Sequence, residues 1–164
     1  MPLNMNFERG NANGNLFVEY QSVFMIDHLS NLENISVENL EKNGGTLGLS
    51  FYDMLKVLNK HNINPEILVL QERFQKPIGY CMFYKHGNNI QISHICLKNE
   101  YQAKGLANKF IDYLKRYYPK YITADIAYTN WKSKAFFNKA GFYFEDNPGK
   151  KRWRAILQLK ETKT

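Results

Sequence analysis

The hydrophobic residues in the first third of the chain recur mostly at helical spacing. Behind Ser50, apolar side chains follow every three or four positions through residues 51–60, which predicts an amphipathic helix with Ser50 as its N-cap. Residues 27–40 predict an earlier helix, and the β-branched and aromatic residues of 16–26 predict a first strand. Residues 1–15 are rich in Asn and Gly, so we expect this segment to be flexible.

From Pro65 onward, apolar residues occur in short runs separated by turn residues, which is the pattern of a sheet. The predicted strands are residues 67–71, 77–85, 90–97, 121–128, 142–145 and 153–159. Two runs with helical spacing interrupt them, residues 106–118 and 131–140. Since the first of these helices joins strands 90–97 and 121–128, we expect the two strands to lie parallel through a right-handed crossover. The pattern predicts one mixed α/β domain over residues 1–164.

Charge is distributed unevenly along the chain, whose net charge is +7. Residues 1–75 hold five Lys and Arg residues and nine Asp and Glu residues, a balance of −4. Residues 76–164 hold seventeen and six, a balance of +11. A basic half suits a polyanionic partner such as a nucleotide cofactor or a nucleic acid. An acidic half suits a cationic substrate, or is simply a solvated surface.

The composition excludes several classes of protein. Its 44% of hydrophobic and 15% of aromatic residues fit a folded globular chain. No apolar run reaches the roughly 18 residues of a membrane span, and we expect neither a signal peptide nor a membrane partner. Cys81 and Cys96 fit small buried core residues of a reduced, cytoplasmic protein. No Cys or His cluster has the spacing of metal ligands, so the sequence predicts no metal site.

The junction between the third strand after Pro65 and the helix that follows it carries the most informative motif, Gln102-x-x-Gly105-x-Ala107. The first N–H groups of a helix have no partner inside the helix, and the helix dipole makes that end partly positive. Because small residues leave these groups open to a ligand, the junction can bind a phosphate, with Lys104 adding charge. A tight turn that begins a helix with small residues explains the same pattern.

Four segments make the sequence resemble the GNAT superfamily of N-acetyltransferases. They are Ile78-Gly79-Tyr80, residues 90–97, Gln102-x-x-Gly105-x-Ala107, and Asn130 followed after ten residues by Gly141-Phe142. The family signature is Arg/Gln-x-x-Gly-x-Gly/Ala at a strand-to-helix turn, and the resemblance covers about residues 65–145. It implies an α/β fold with a mixed, mostly antiparallel sheet of six or seven strands. Helices would cover both faces, and two central parallel strands would splay apart.

The resemblance also implies where acetyl-CoA, the co-substrate of that family, would lie. The main chain of Ile95, Cys96 and Leu97 would pair with the pantetheine arm and the thioester carbonyl. Asn130 would also meet the pantetheine, and Ser133 and Phe137 complete this part of the predicted site. The pyrophosphate would lie on backbone N–H groups at the helix start, in Gln102, Ala103, Lys104, Gly105, Leu106, Ala107 and Asn108.

The chemistry implied by the resemblance is direct attack of a neutral amine on the thioester in a ternary complex. A backbone N–H near Leu97 would polarise the thioester carbonyl. His94 is the candidate base, because imidazole titrates near neutral pH, and a structural core histidine is the alternative. The family often has a tyrosine acid at the position of Phe137, and phenylalanine cannot donate a proton. Tyr128, Tyr101 or a water molecule would take its place.

The sequence therefore predicts an N-acetyltransferase that moves the acetyl group of acetyl-CoA to a primary amine, with a small molecule favoured over a protein as acceptor. A protein lysine or N-terminal acetyltransferase and a CoA-binding module without turnover are the alternatives. Tyr and Lys residues alternate through residues 113–121, which would also suit single-stranded nucleic acid. No nucleic-acid-binding motif accompanies them, so we do not expect that partner. We expect a monomer or a homodimer.

Overall fold

One sheet of eight strands runs through the part of the protein that the structure, a computed structural model, describes: residues 7–9, 16–21, 26–43, 48–72, 77–102 and 104–160. The strands are β1 Phe7–Arg9, β2 Leu16–Gln21, β3 Glu66–Glu72, β4 Pro77–His86, β5 Asn89–Leu97, β6 Tyr121–Ala127, β7 Tyr143–Asn147 and β8 Arg152–Gln158. Their order is β1-β2-β3-β4-β5-β6-β8-β7. The β5–β6 pair is parallel and the other described neighbours are antiparallel. The mixed, mostly antiparallel fold class is confirmed, with eight strands beside the six or seven expected.

The predicted helices are present, with one boundary corrected. They are α1 Ile26–Asn43, α2 Phe51–Lys60, α3 Ala107–Leu114 and α4 Trp131–Lys139. Ser50 caps α2 as predicted, since its Oγ accepts a hydrogen bond from the Asp53 N–H at 3.3 Å. The prediction that α3 extends to Tyr118 is wrong, because a 3₁₀ turn follows Leu114 and Tyr118 has a φ of +52°. Tyr118 precedes Pro119, and the residue before a proline is disfavoured in the right-handed helical region.

The N-terminal segment contributes the edge of the sheet. Within the predicted flexible segment 1–15, Phe7–Arg9 forms β1, which pairs antiparallel with β2. The other residues of that segment lie outside the described residues, as does the first part of the connection between α1 and α2, residues 44–47.

The two faces of the sheet carry separate cores. On one face, Leu32 of α1 and Phe51 of α2 pack against Tyr80 and other strand residues. On the other face, Phe110 of α3 and Phe137 of α4 pack against β5 and β6. Helices therefore cover both faces, as the sequence implied, and the sheet separates the α1–α2 face from the α3–α4 face.

The parallel strands β5 and β6 separate after a short ladder. Their pairing ends, within the described residues, at Ile92 opposite Ala124. Beyond that point β5 stays paired with β4 as far as Leu97, and β6 stays paired with β8 as far as Ala127. The register of β4 and β5 shifts between Met82↔His94 and Phe83↔Ile92, which leaves Ser93 as the extra residue of a β-bulge. The splayed strand pair is thus confirmed.

Candidate active site

The separation of β5 and β6 opens a cleft of about 860 Å³. Its walls come from the diverging strand ends, from the start of α3 and from α4. The predicted cofactor-binding residues that line it are Ile95, Leu97, Gln102, Gly105, Leu106, Ala107, Asn108, Asn130, Ser133 and Phe137. The cleft therefore joins two sequence segments that lie on either side of β6.

The predicted cofactor set includes three further residues. Ala103 lies outside the described residues. Lys104 is not among the described lining residues, and its Nζ lies 5.7 Å from the centre of the Tyr101 ring. Cys96 packs its side chain into the core of the α1–α2 face, where it is 4% exposed. The bulge at Ser93 sets this orientation for the rest of β5.

At the end of β5, the backbone N–H and carbonyl groups of successive residues point alternately to β4 and to the cleft. The Lys98 N–H donates to the Ile78 carbonyl at 2.8 Å. Because successive residues of a strand direct their backbone groups to opposite edges, Leu97 and Ile95 direct theirs to the cleft. The Leu97 carbonyl accepts hydrogen bonds from Asn39 Nδ2 at 2.7 Å and from Gln102 Nε2 at 3.0 Å. Its N–H points the same way and is the group placed to meet a ligand carbonyl.

Helix α1 is hydrogen-bonded to the loop that joins β5 with α3. Besides binding Leu97, Gln102 Nε2 donates to Asn39 Oδ1 at 3.3 Å. One residue earlier in α1, Glu38 Oε1 accepts from the Asn99 N–H at 3.0 Å. The sequence reasoning missed Asn39, which lines the cleft, because it lies 58 residues from Leu97 and in no recognisable motif.

The start of α3 carries no side-chain cap. Leu106 occupies the N-cap position in a helical conformation without a side-chain hydrogen bond. Gly105 has a φ of +74°, and a Cβ added there would meet no atom within 4 Å. Glycine adopts this left-handed backbone conformation without strain, and relief of a clash within the protein is not its role. Gly105 also contributes to the lining of the cleft.

Helix α4 contributes a buried amide and an aromatic wall. Asn130 is 5% exposed and caps α4, its Oδ1 accepting from the Ser133 N–H at 3.2 Å. Phe137 is also 5% exposed and packs edge-on against Phe142, with ring centres 4.9 Å apart. Asn130 therefore positions the first turn of α4 along the cleft, and Phe137 presents no proton donor to it.

His94, the candidate base, is turned to the α1–α2 face by the bulge. Ile90 and Ile92 pack into the core of the α3–α4 face, whereas residues after Ser93 follow the opposite alternation. His94 is 1% exposed, and its Nδ1 shares a 2.9 Å hydrogen bond with the Tyr80 hydroxyl. Burial raises the pKa of Tyr80 well above its usual value, so this hydroxyl stays protonated. His94 also contributes to the lining of the cleft.

Comparison with known proteins gives the family. Residues 34–142 match the family described as "Acetyltransferase (GNAT) family". The chain belongs to this acetyltransferase (GNAT) family. Acetyl-CoA is the co-substrate of GNAT acetyltransferases, so the predicted co-substrate is confirmed at the level of the family. Comparison with curated protein sequences finds no match.

Solved structures of other proteins share the fold. An acetyltransferase from Thermus thermophilus has 18% identity and a TM-score of 0.68, over 88% of this chain and 97% of that one. The PaiA N-acetyltransferase from Thermoplasma acidophilum, in complex with coenzyme A, has 16% identity and a TM-score of 0.65, over 87% and 99%. A chain of the NatC complex bound to Gag peptide and CoA has 17% identity and a TM-score of 0.58, over 87% and 99%.

The two tyrosines considered as substitute acids are not among the described residues that line this GNAT cleft. The Tyr128 hydroxyl donates to Asp146 Oδ1, and this hydrogen bond is the main reason that the pKa of Tyr128 is raised to about 12. Tyr101 packs against the core of the α3–α4 face.

The acidic N-terminal half contributes no carboxylate to the described lining of the cleft. Among the described residues that line it, Asp125 provides the one carboxylate, and Lys132 and Lys139 provide the ammonium groups. The described acidic residues of α1 make other contacts, as Glu33 Oε2 does by accepting from the Tyr52 N–H at 3.1 Å. Sequence reasoning missed Asp125 because nothing in the local pattern of β6 marks the point where the strands separate.

Two further observations concern ligands and surroundings. Among the described residues, no group of three or more His, Cys, Asp and Glu side chains is arranged to hold a metal ion. None of the described helices combines the length and the apolar character needed to cross a membrane. Cys81 and Cys96 are free and buried, on opposite faces of the sheet.

Proposed function

We propose that this GNAT protein transfers the acetyl group of acetyl-CoA to a primary amine by direct attack within a ternary complex. The observation that carries the proposal is the separation of β5 and β6 over a cleft bounded by the uncapped start of α3. A separated strand leaves backbone groups that need hydrogen-bond partners, and the amides of pantetheine supply them. An uncapped helix start takes the pyrophosphate.

The cofactor is held in three places. The main chain of Ile95 and Leu97 pairs with the pantetheine arm. The buried Asn130, with Ser133 beside it, meets the same arm from α4. The backbone N–H groups between Gln102 and Asn108 bind the pyrophosphate. This arrangement brings the thioester to the point where β5 and β6 separate.

The protein accelerates the reaction mainly by placing the reactants and by stabilising charge. The Leu97 N–H donates to the thioester oxygen as negative charge develops on it. His94 accepts a proton from the acceptor amine, directly or through a water molecule, and the hydrogen bond to Tyr80 fixes its ring orientation. With Phe137 in the place of a tyrosine, water protonates the leaving thiolate.

A small-molecule amine is the favoured acceptor. The PaiA neighbour is an N-acetyltransferase, whereas the NatC neighbour is bound to a peptide, which makes a protein acceptor the second candidate. A CoA-binding protein without turnover is the third. Protein acceptors would appear as acetylated polypeptides, and small acceptors as a small acetylated product.

The placement of the pyrophosphate is tested by calorimetric titration of acetyl-CoA into the Gly105→Glu variant. A carboxylate at this position repels the phosphates, so we expect affinity to fall by at least about 30-fold, or about 2 kcal/mol. Gly87→Glu is the matched control, because Gly87 also has a positive φ, of +60°, with open space around it, but lies in the hairpin between β4 and β5. Unchanged affinity in Gly105→Glu would contradict the placement.

Turnover is tested by the release of free CoA thiol from acetyl-CoA in the presence of polyamines, amino sugars, aminoglycosides, amino acids and lysine peptides. We expect release with at least one small amine. Tight acetyl-CoA binding without release would indicate a binding module or a specific protein acceptor. Absence of both binding and release would overturn the proposed function.

A further inference from the structure

We propose that the acceptor docks on Asp125 as an ammonium group, from the α1–α2 face, and that Arg154 then turns from Asp125 to Glu145. This inference rests on the proposed function and names its acceptor class, a small primary amine without an acid group. The acceptor and the cofactor thus reach the separated strands from opposite faces of the sheet.

Asp125 occupies the point where β6 leaves β5. It is the first residue of β6 beyond the last parallel pair, Ile92 opposite Ala124. It contributes to the cleft, and its side chain is 29% exposed. A carboxylate reachable from solvent and located at the separation of the strands is placed to bind a cation that enters the cleft.

The alternation of β6 sets the face from which Asp125 is reached. Ile122, Ala124 and Ile126 are buried in the core of the α3–α4 face. Because strand side chains alternate between faces, Asp125 lies on the α1–α2 face. Acetyl-CoA enters between α3 and α4 in the proposed function, so an amine on Asp125 approaches the thioester from the other side.

Arg154 holds Asp125 weakly and has a second partner within reach. Arg154 Nε lies 3.3 Å from Asp125 Oδ1, and the Arg154 side chain is 50% exposed. An exposed ion pair of this kind contributes at most about 1 kcal/mol. Arg154 on β8 is directly opposite both Asp125 on β6 and Glu145 on β7, and cross-strand partners share a face. One guanidinium therefore stands between two carboxylates, and Glu145 can retain it when an ammonium takes Asp125.

Tyr84, which packs on the same α1–α2 face, is influenced by the charges of this ion pair. Burial raises the pKa of the Tyr84 hydroxyl, and the negative charge of Asp125 raises it further, whereas the positive charge of Arg154 lowers it. Tyr84 therefore lies within electrostatic reach of both groups and remains a protonated hydrogen-bond donor near them. No carboxylate other than Asp125 belongs to the described lining of the cleft.

Asp125 of β6 and Ser93 of β5 are each the first residue of their strand beyond the last parallel pair. Ile95, whose main chain faces the cleft, follows Ser93 at about 7 Å along β5. The bound ammonium first loses one proton to His94 or water. Its nitrogen then forms a bond to the acetyl carbon while the C–S bond breaks, and a second proton from the nitrogen reaches the CoA thiolate through water.

The test uses two four-carbon probes, butylamine and 4-aminobutyrate, with acetyl-CoA held at saturation, and a second series varies acetyl-CoA at saturating butylamine. Asp125→Asn removes one charge-assisted hydrogen bond, so we expect the KM for butylamine to rise about 10-fold or more while the KM for acetyl-CoA is unchanged. Arg154→Gln releases Asp125, so we expect the KM for butylamine to fall several-fold. Asp112→Asn is the matched control, because this carboxylate is 74% exposed and pairs with Lys115 on α3.

The proposal predicts opposite changes in the KM for butylamine in the two variants. An unchanged KM for butylamine in Asp125→Asn would overturn it. The acceptor class would be overturned in favour of an amino acid by two results together. The unmodified protein would prefer 4-aminobutyrate to butylamine, and Arg154→Gln would raise the KM for 4-aminobutyrate. A wild-type protein that releases no thiol with any amine contradicts the proposed function, and docking is then read by calorimetry of butylamine with the CoA-saturated protein. Loss of that binding in Asp125→Asn still supports the docking site, and its retention overturns it.

Discussion

At the scale of single residues, the geometry of the site depends on side chains that form hydrogen bonds with main-chain groups. Asn39 and Gln102 hold the Leu97 carbonyl, and Asn130 holds the Ser133 N–H. Substitutions of such residues act on geometry, and the chemistry then depends on a smaller set of reactive groups. His94, which lines the cleft and is the candidate base, is the first of these reactive groups to test.

The role of His94 is tested by its pH–rate profile. His94→Gln removes the titrating group while keeping a polar side chain, so we expect kcat at neutral pH to fall by about 100-fold, as for loss of a general base. Acetyl-CoA binding should stay unchanged. Tyr80→Phe is the companion variant, because it removes the partner of His94 Nδ1 and keeps the packed ring. A wild-type pH–rate profile in His94→Gln would remove the histidine from the reaction and leave it a structural residue.

Most elements could be predicted from local sequence, whereas the contacts between elements could not. Periodicity located α2 with its Ser50 cap and the strands β3 to β8, because these patterns depend on neighbouring residues. The face of the sheet on which His94 lies depends on the β-bulge at Ser93, which the alternation of polar and apolar residues does not reveal. The hydrogen bonds between α1 and the loop after β5 join residues about 60 positions apart, which no local pattern encodes. The cleft itself was implied by resemblance and is now explained by the end of the β5–β6 ladder.

The contact between α1 and this loop gives a prediction at the scale of elements. Asn39→Ala removes the donor to the Leu97 carbonyl and the acceptor for Gln102. Because each such hydrogen bond contributes about 1 kcal/mol, we expect kcat/KM for acetyl-CoA to fall roughly 10-fold. Asn59→Ala, on the exposed end of α2, should behave as the wild type. A change in thermal stability without a change in kcat/KM would show that Asn39 serves only the fold.

The sheet divides the whole molecule into two cores, each of which contains one thiol. Burial raises the pKa of Cys81 and raises that of Cys96 to about 12. A thiol in the unfolded chain ionises near its ordinary pKa of about 8.5. Below that pH the thiols are protonated in both the folded and the unfolded chain, and the protein keeps its full free energy of unfolding. Above it the unfolded chain loses protons that the folded protein retains, so stability falls as pH rises towards the folded pKa.

This linkage predicts alkaline destabilisation of the whole molecule. The loss is about 1.4 kcal/mol per pH unit for each thiol, or roughly 4 kcal/mol between pH 8 and pH 10 for the two together. Denaturant titrations at these two pH values measure it. Cys96→Ala, which removes one of the two thiols, should show about half the loss. Equal stability of the wild type at pH 8 and pH 10 would contradict burial of the two thiols.

The separation of β5 and β6 also places two open strand edges in the middle of a sheet. Exposed edges elsewhere in proteins are where foreign strands add and where aggregation begins. Here the starts of α3 and α4 line one side of the opening, and Asn39 of α1 is hydrogen-bonded to the Leu97 carbonyl at its β5 edge. Because helices cover the two edges within the fold, they make these edges less accessible to a foreign strand and so oppose aggregation.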